Sequence, residues 1–173
     1  MKKSELNINA DKACTMDIAI EQLSQHAAVG GKIENVVKAV VVAKNAGIDL
    51  PFSTALAIDA ASKENILNLV YGRIHPRVVE TKTVKADCKD GRKVAVRASI
   101  ALRVNLMRVI GGVGAETIIA RVSEGILCCI GKANNYNELL SDPGVISKHL
   151  LVRQSITSDS MYDILSIDIV KIK

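Results

Sequence analysis

An α+β fold is what this sequence predicts: a helical N-terminal segment, then a small, mainly antiparallel sheet with helices packed on one side. Three observations predict it. Up to residue 74 the apolar residues recur at the three-and-four spacing of helices, and His75-Pro76 then imposes an extended conformation on residue 75. From Arg77 the apolar period falls to two. A chain of 173 residues, 49% hydrophobic and 24% charged, can bury a core and is too apolar to be disordered throughout. The expected division is residues 1–74 as the helical segment and 75–173 as the α+β domain.

In the first part, Met16, Ile20, Leu23 and Ala27 form one helical stripe, closed by Gly30-Gly31. A second helix comes next, with a broad face of Ile33, Val36, Val37, Val40, Val41 and Val42, Glu34 in its first turn, and Gly47 as its stop. A third, about residues 51–61, starts with Pro51 in its first turn, where the missing amide costs nothing. A fourth starts near Ser62 and stops by Gly72.

The segment KVAVRASIALRV places Val94, Val96, Ala98, Ile100, Leu102 and Val104 on one strand face and Lys93, Arg97, Ser99 and Arg103 on the other. Its partner is Val78 to Cys88, and the register depends on the turn. A two-residue turn at Asp90-Gly91 would set Lys85 against Val96, mixing charged and apolar faces. A three-residue loop, Lys89-Asp90-Gly91 with Gly91 left-handed, sets Ala86 against Val94, Val84 against Val96 and Val78 against Leu102. The three-residue loop is therefore expected. After Gly111-Gly112-Val113-Gly114 comes an amphipathic helix bearing Ile118, Ile119, Val122, Ile126, Cys129 and Ile130. Short helices are expected at residues 134–140 and 145–155. A closing strand, residues 164–172, alternates Ile164, Ser166, Asp168, Val170 and Ile172 against Leu165, Ile167, Ile169 and Lys171.

Composition excludes several functions. With no Trp and only Phe52, Tyr71, Tyr136 and Tyr162 as large rings, a base-stacking platform for single-stranded nucleic acid is not available. The longest run without Asp, Glu, Lys or Arg is Gln22 to Gly31, too short to span a bilayer, and MKKSELN has no hydrophobic segment behind it to make a secretory signal. The chain is expected to be soluble and intracellular, with Cys14, Cys88, Cys128 and Cys129 reduced and mostly acting as small apolar residues.

No catalytic constellation, cofactor site or metal-ligand spacing is found. The glycines at 111, 112 and 114 do not form a GxGxxG or P-loop pattern and read as a connector. His26, His75 and His149 are isolated from one another. The net charge of +5 is concentrated between residues 82 and 108, where eight basic side chains face only Asp87 and Asp90. Two readings are open: a solvated hairpin whose charges protect its exposed face, or an anion-facing surface through Lys82, Lys85, Lys89, Arg92 and Lys93.

The blocks GGVGAETIIARVSEGILCCIG, ASIALRVNLMRVI and ILSIDIVKI resemble the bacterial flotillin-like protein A family, of the stomatin, prohibitin and flotillin superfamily. AAVGGKIENVVKAVVVAKNAGIDLPFSTALAIDAASK and HPRVVET resemble it in the same order. The resemblance implies a stomatin/prohibitin/flotillin-like (band-7) domain in residues 75–173. It also implies a protein whose full length adds a membrane-inserted segment before this region and an Ala/Glu-rich coiled coil after it, this sequence being the soluble middle portion.

The function implied is a non-enzymatic scaffold. Homo-oligomers on the cytoplasmic face of the cell membrane would organise microdomains and recruit membrane proteins. Two routes to self-association are expected: the polar side of the helix at 115–130, with Arg121 and Glu124 in reciprocal ion pairs, and the edge of the final strand around Ile167 and Ile169. The competing function is a basic adaptor that binds anionic lipid or nucleic acid through phosphate charge.

Overall fold

Beyond Pro76 a four-stranded antiparallel sheet organises the chain, with helices on one of its faces, and the described residues before Pro76 are mainly helical. The computed structural model describes residues 21–28 and 30–173. Met16, Ile20 and Cys14 lie outside the described residues. The chain divides into two compact units between Asn68 and Leu69. Both this division and the one expected at residue 74 assign the whole sheet to the C-terminal part.

In the first unit, residues 21–28 are helical (α1), followed by α2 (Ile33–Asn45) and α3 (Phe52–Ala61). Gly47, at φ 70°, ends α2 as expected. The inward stripe of α2 is narrower than its valines suggested: Val36, Ala39 and Ala43 are buried, while Val37 and Val41 are exposed. His26 is buried, its Nε2 lying 3.0 Å from Asp59 Oδ2, which also accepts the Lys32 amide at 3.0 Å. Such pairing satisfies a polar group inside an apolar setting.

Helix α4 (Ile66–Ile74) crosses the boundary between the units. It starts later than residue 62, because Ser62 Oγ and Asn65 Oδ1 cap local turns by accepting the Glu64 and Leu67 amides. It also runs through Gly72 rather than stopping there. A Cβ on Gly72 would lie 2.7 Å from Val104 Cγ2, so this glycine admits a neighbour.

The second unit is built on β3 (Lys93–Val104), which pairs along one edge with β1 (Arg77–Glu80) and β2 (Val84–Asp87) in succession, and along the other with β4 (Tyr162–Ile172). The loop Lys89-Asp90-Gly91 is as expected: the Cys88 amide donates to Arg92 O at 2.9 Å and Gly91 has φ 80°. Val84 faces Val96 and Ala86 faces Val94, as the turn argument required.

Farther along, the expected pairing of Val78 with Leu102 is wrong by one residue. Arg77 opposes Leu102 and Val78 opposes Ala101, because Thr81–Thr83 hold an extra residue between β1 and β2. Thr81 fills that break: its amide donates to Ala98 O and its hydroxyl accepts the Ala98 amide. A one-residue slip exchanges faces, and Val78 is accordingly 65% exposed.

Strand β4 departs from strict alternation twice. Its pairing with β3 shifts between Arg97 and Ala98 and between Ala101 and Leu102, leaving Val170 and Leu165 unpaired as bulge residues, 49% and 43% exposed. The residues opposite the buried side of β3 are thus Tyr162, Ile164, Ile167, Ile169 and Ile172, the isoleucines drawn from both faces of the simple pattern.

Over the buried face lie α5 (Ala115–Lys132) and α7 (Gly144–Val152), with α6 (Tyr136–Ser141) and the short α8 (Gln154–Thr157) completing the layer. Ile118, Val122, Ile126 and Ile130 of α5 meet the core that contains Val94, Val96, Ile100 and Leu102, all buried. Each such side chain contributes roughly 1.5–3 kcal/mol by leaving water. Gly125 sets the spacing of the helices, since a Cβ there would fall 2.3 Å from Leu150 Cδ2 on α7. At the start of α6, Asn135 Oδ1 accepts the Glu138 amide and Glu138 Oε2 accepts the Asn134 amide, a reciprocal cap.

Candidate interaction surface

The sheet has a second face, and the alternation of β3 decides what it carries. Opposite the buried valines and isoleucines stand Lys93, Ala95, Arg97, Ser99, Ala101 and Arg103. Pairing adds Lys85 beside Ala95 from β2, Asp87 beside Lys93, and Lys171 beside Arg97 from β4. Lys173 continues the ladder, exchanging two backbone hydrogen bonds with Ala95 at 2.8 and 3.0 Å. Lys85, Lys93, Arg97, Lys171 and Lys173 thus share one face at one end of the sheet.

Two adjoining hollows lie there. One, of about 500 Å³, is lined by Lys85, Asp87, Lys93, Ala95 and Lys173 among others. The other, of about 240 Å³, is lined by Thr83, Lys85, Ala95, Arg97, Lys171 and Lys173. Arg97 Nε sits 3.6 Å from Glu80 Oε2, beyond hydrogen-bond reach, and among the described residues that nitrogen has no acceptor.

Of the five cations expected to face an anion, the structure brings Lys85 and Lys93 to this face and puts the other three elsewhere. Lys82 lies in the break between β1 and β2. Lys89 belongs to the hairpin loop, which Arg92 closes and which is docked against the end of α5: Lys89 Nζ donates to Asn134 Oδ1 at 3.2 Å, the Lys89 amide to Ala133 O, and the Tyr136 amide to Asp90 Oδ2. Arg92 lies 3.9 Å from the Asp90 carboxylate. Arg97, Lys171 and Lys173 were not among the cations expected to face an anion, and the two lysines come to this face only through long-range pairing with β3.

The residues expected to mediate self-association are dispersed. Arg121 is half-buried and its guanidinium donates to Ser158 O at 2.7 Å, whereas Glu124 is exposed. Ile167, 2% exposed, points into the core and Ile169 is half-buried, so the part of β4 left for a partner is its outer backbone edge. Among the described residues no strand pairs with that edge.

Other chemistry-bearing groups are scattered. Burial, helped by Asp90, Asp87 and Glu138, pushes the Cys88 thiol up, and burial with Cys128 alongside does the same for Cys129, so both thiols are poor nucleophiles near neutral pH. Among the described residues, no group of three or more His, Cys, Asp and Glu side chains is placed to hold a metal ion. Among them also, no helix is long and apolar enough to cross a membrane.

Comparison with known proteins places this architecture. The family model described as flotillin-like protein FloA matches residues 3–173. The flotillin-like protein FloA of Alkaliphilus metalliredigens is 42% identical over 165 residues, covering 95% of this chain and 49% of the relative. That of Dictyoglomus turgidum is 40% identical over 162 residues, covering 94% and 49%, and that of Bacteroides fragilis 39% identical over 165 residues, covering 95% and 49%. The chain spans about half the length of these curated relatives. A match running through the helical unit, the hairpin, α5 and β4 shows that this chain belongs to the flotillin-like protein FloA family.

Proposed function

We propose that this chain is a domain of a non-enzymatic scaffold that organises membrane microdomains, acting by self-association and by gathering other membrane proteins at the cytoplasmic face of the cell membrane. The observation that carries this reading is the family match from residue 3 to residue 173, which includes every strand of the sheet. Geometry supports it in a limited way: among the described residues, helices fill one face of the sheet, while the other face and the outer edge of β4 remain as surfaces for partners. No cofactor is invoked.

Self-association belongs to the β4 edge in preference to Arg121 and Glu124, because Arg121 is already engaged with Ser158 O. Pairing at an edge uses backbone groups and does not require the side chains of Ile167 and Ile169 to turn outward. Sedimentation velocity over a wide concentration range tests this. A sedimentation coefficient that rises with concentration, and survives Arg121→Ala and Glu124→Ala, is the expected result. A strictly monomeric species at the highest concentration would remove self-association from the function of this chain.

A further inference from the structure

We propose that the cationic end of the open sheet face, formed by Lys85, Lys93, Arg97, Lys171 and Lys173, is the surface with which this domain lies against the anionic headgroups of a lipid bilayer. The inference rests on the membrane reading above and gives it a contact face. Its physical basis is a local imbalance that the fold maintains. Arg97 and Lys171 stand directly opposite each other across β3 and β4. Lys85 and Lys173 flank Ala95 from its two sides. Like charges opposed across a sheet are destabilising, and an anionic layer placed on this face would relieve that repulsion.

Among the described residues three carboxylates on this face come near the five cations: Asp87 opposite Lys93, and Glu80 and Asp168, which flank Ser99 beside Arg97. Among them too, Lys85 and Lys171 are exposed and engage in no hydrogen bond or ion pair, so their ammonium groups are free to meet phosphate. The geometry favours a bilayer over a nucleic acid. The two hollows are lined by four lysines, Arg97, Asp87 and small side chains with no aromatic ring, which offers net positive charge without a stacking surface. Cations on one sheet face can come together within a Debye length, about 8 Å at physiological ionic strength, of a flat anionic layer.

The test is co-sedimentation of this chain with phosphatidylcholine vesicles, with and without phosphatidylglycerol, at low and high salt. Lys85→Glu/Lys171→Glu is compared with Lys132→Glu/Lys148→Glu, which alters net charge equally at exposed positions on the helices. Salt-sensitive binding to the phosphatidylglycerol vesicles is expected. It should be weakened about tenfold or more by the sheet-face pair and much less by the helix pair. Circular dichroism confirms that both variants fold. Equal loss in the two variants, absence of binding by the parent chain, or equal binding to pure phosphatidylcholine would overturn the proposal. So would a sheet-face pair that abolishes a mobility shift with duplex DNA while leaving vesicle binding intact, which would assign the face to nucleic acid. Sedimentation velocity without vesicles reads the scaffold proposal separately, so an association that persists when vesicle binding fails would reject the contact face and leave the scaffold reading standing.

Discussion

Strands β3 and β4 lie side by side from Val96 to Val104, yet only β3 alternates without interruption. The difference comes from neighbours. Ile100 is held on one side by Val79 and on the other by Ile167, so an extra residue at that point would have to disturb two ladders at once. Among the described residues β4 has a partner on one side only, and it takes in two extra residues, Leu165 and Val170, each turned out to solvent. Central strands carry the pattern of a sheet, whereas edge strands can break it cheaply and become poorer templates for unwanted pairing in doing so.

The largest effect expected from this contrast is on stability. Ile100→Ala should cost about 2–5 kcal/mol, because it empties a fully buried site beneath α5 and α7. Leu165→Ala, which trims a residue of similar size from an exposed bulge, should change stability by no more than about 0.5 kcal/mol. Urea denaturation of both variants checks the pair, and comparable losses would mean that the bulge residue is packed after all.

Next in size is the turn that launches β3. Gly91 adopts φ 80°, a conformation in which a side chain meets the following carbonyl, so Gly91→Val should destabilise by about 1–2 kcal/mol or somewhat more for its β-branch. No neighbouring atom lies within 4 Å of a Cβ built at this position, so the cost is purely conformational. Gly91→Asn, better suited to this region, should recover much of the loss in the same denaturation assay.

How far these features were readable in the chain depends on the range of the interaction that sets them. The Lys89-Asp90-Gly91 loop was legible because its register is local and only one choice matched apolar faces. The slip at Thr81 was not, since it rests on a threonine hydroxyl replacing a ladder acceptor seventeen positions away at Ala98. The inward stripe of α2 was blurred by valines on both sides, which composition could not rank. Lys85 and Lys93 were visible as members of the hairpin, but Lys171 joins them only through the long-range pairing of β4 with β3. Arg121 looked like a free surface cation because its acceptor, Ser158 O, belongs to a distant turn.

A smaller effect is expected where β2 hands over to the hairpin. Burial raises the Cys88 thiol above its ordinary value, so the folded chain favours the protonated form more than the unfolded chain does. Stability from that preference is complete below the ordinary thiol pKa and is lost as pH rises through the higher folded value. Urea midpoints measured from neutral into alkaline pH should therefore fall, and Cys88→Ala should remove part of that fall. Cys129, raised in the same direction, would keep a remainder in the variant.

A small expected change in stability accompanies the sharpest test of the two strands. Deleting Leu165 outright leaves Ile164 opposite Leu102 and Ser166 opposite Ala101, now as consecutive pairs, so every remaining side chain of β4 keeps its face. Deleting Ile100 instead would slip one half of β3 against both neighbours and send apolar residues to the open face. The Leu165 deletion should therefore fold with a stability within about 1 kcal/mol of the parent, while the Ile100 deletion should not fold. Removing a bulge also straightens the outer edge of β4, and a straighter edge is a better template for a second copy. Sedimentation velocity should accordingly show stronger self-association for the Leu165 deletion than for the parent chain. A deletion that folds but associates less would place the self-association surface away from the β4 edge.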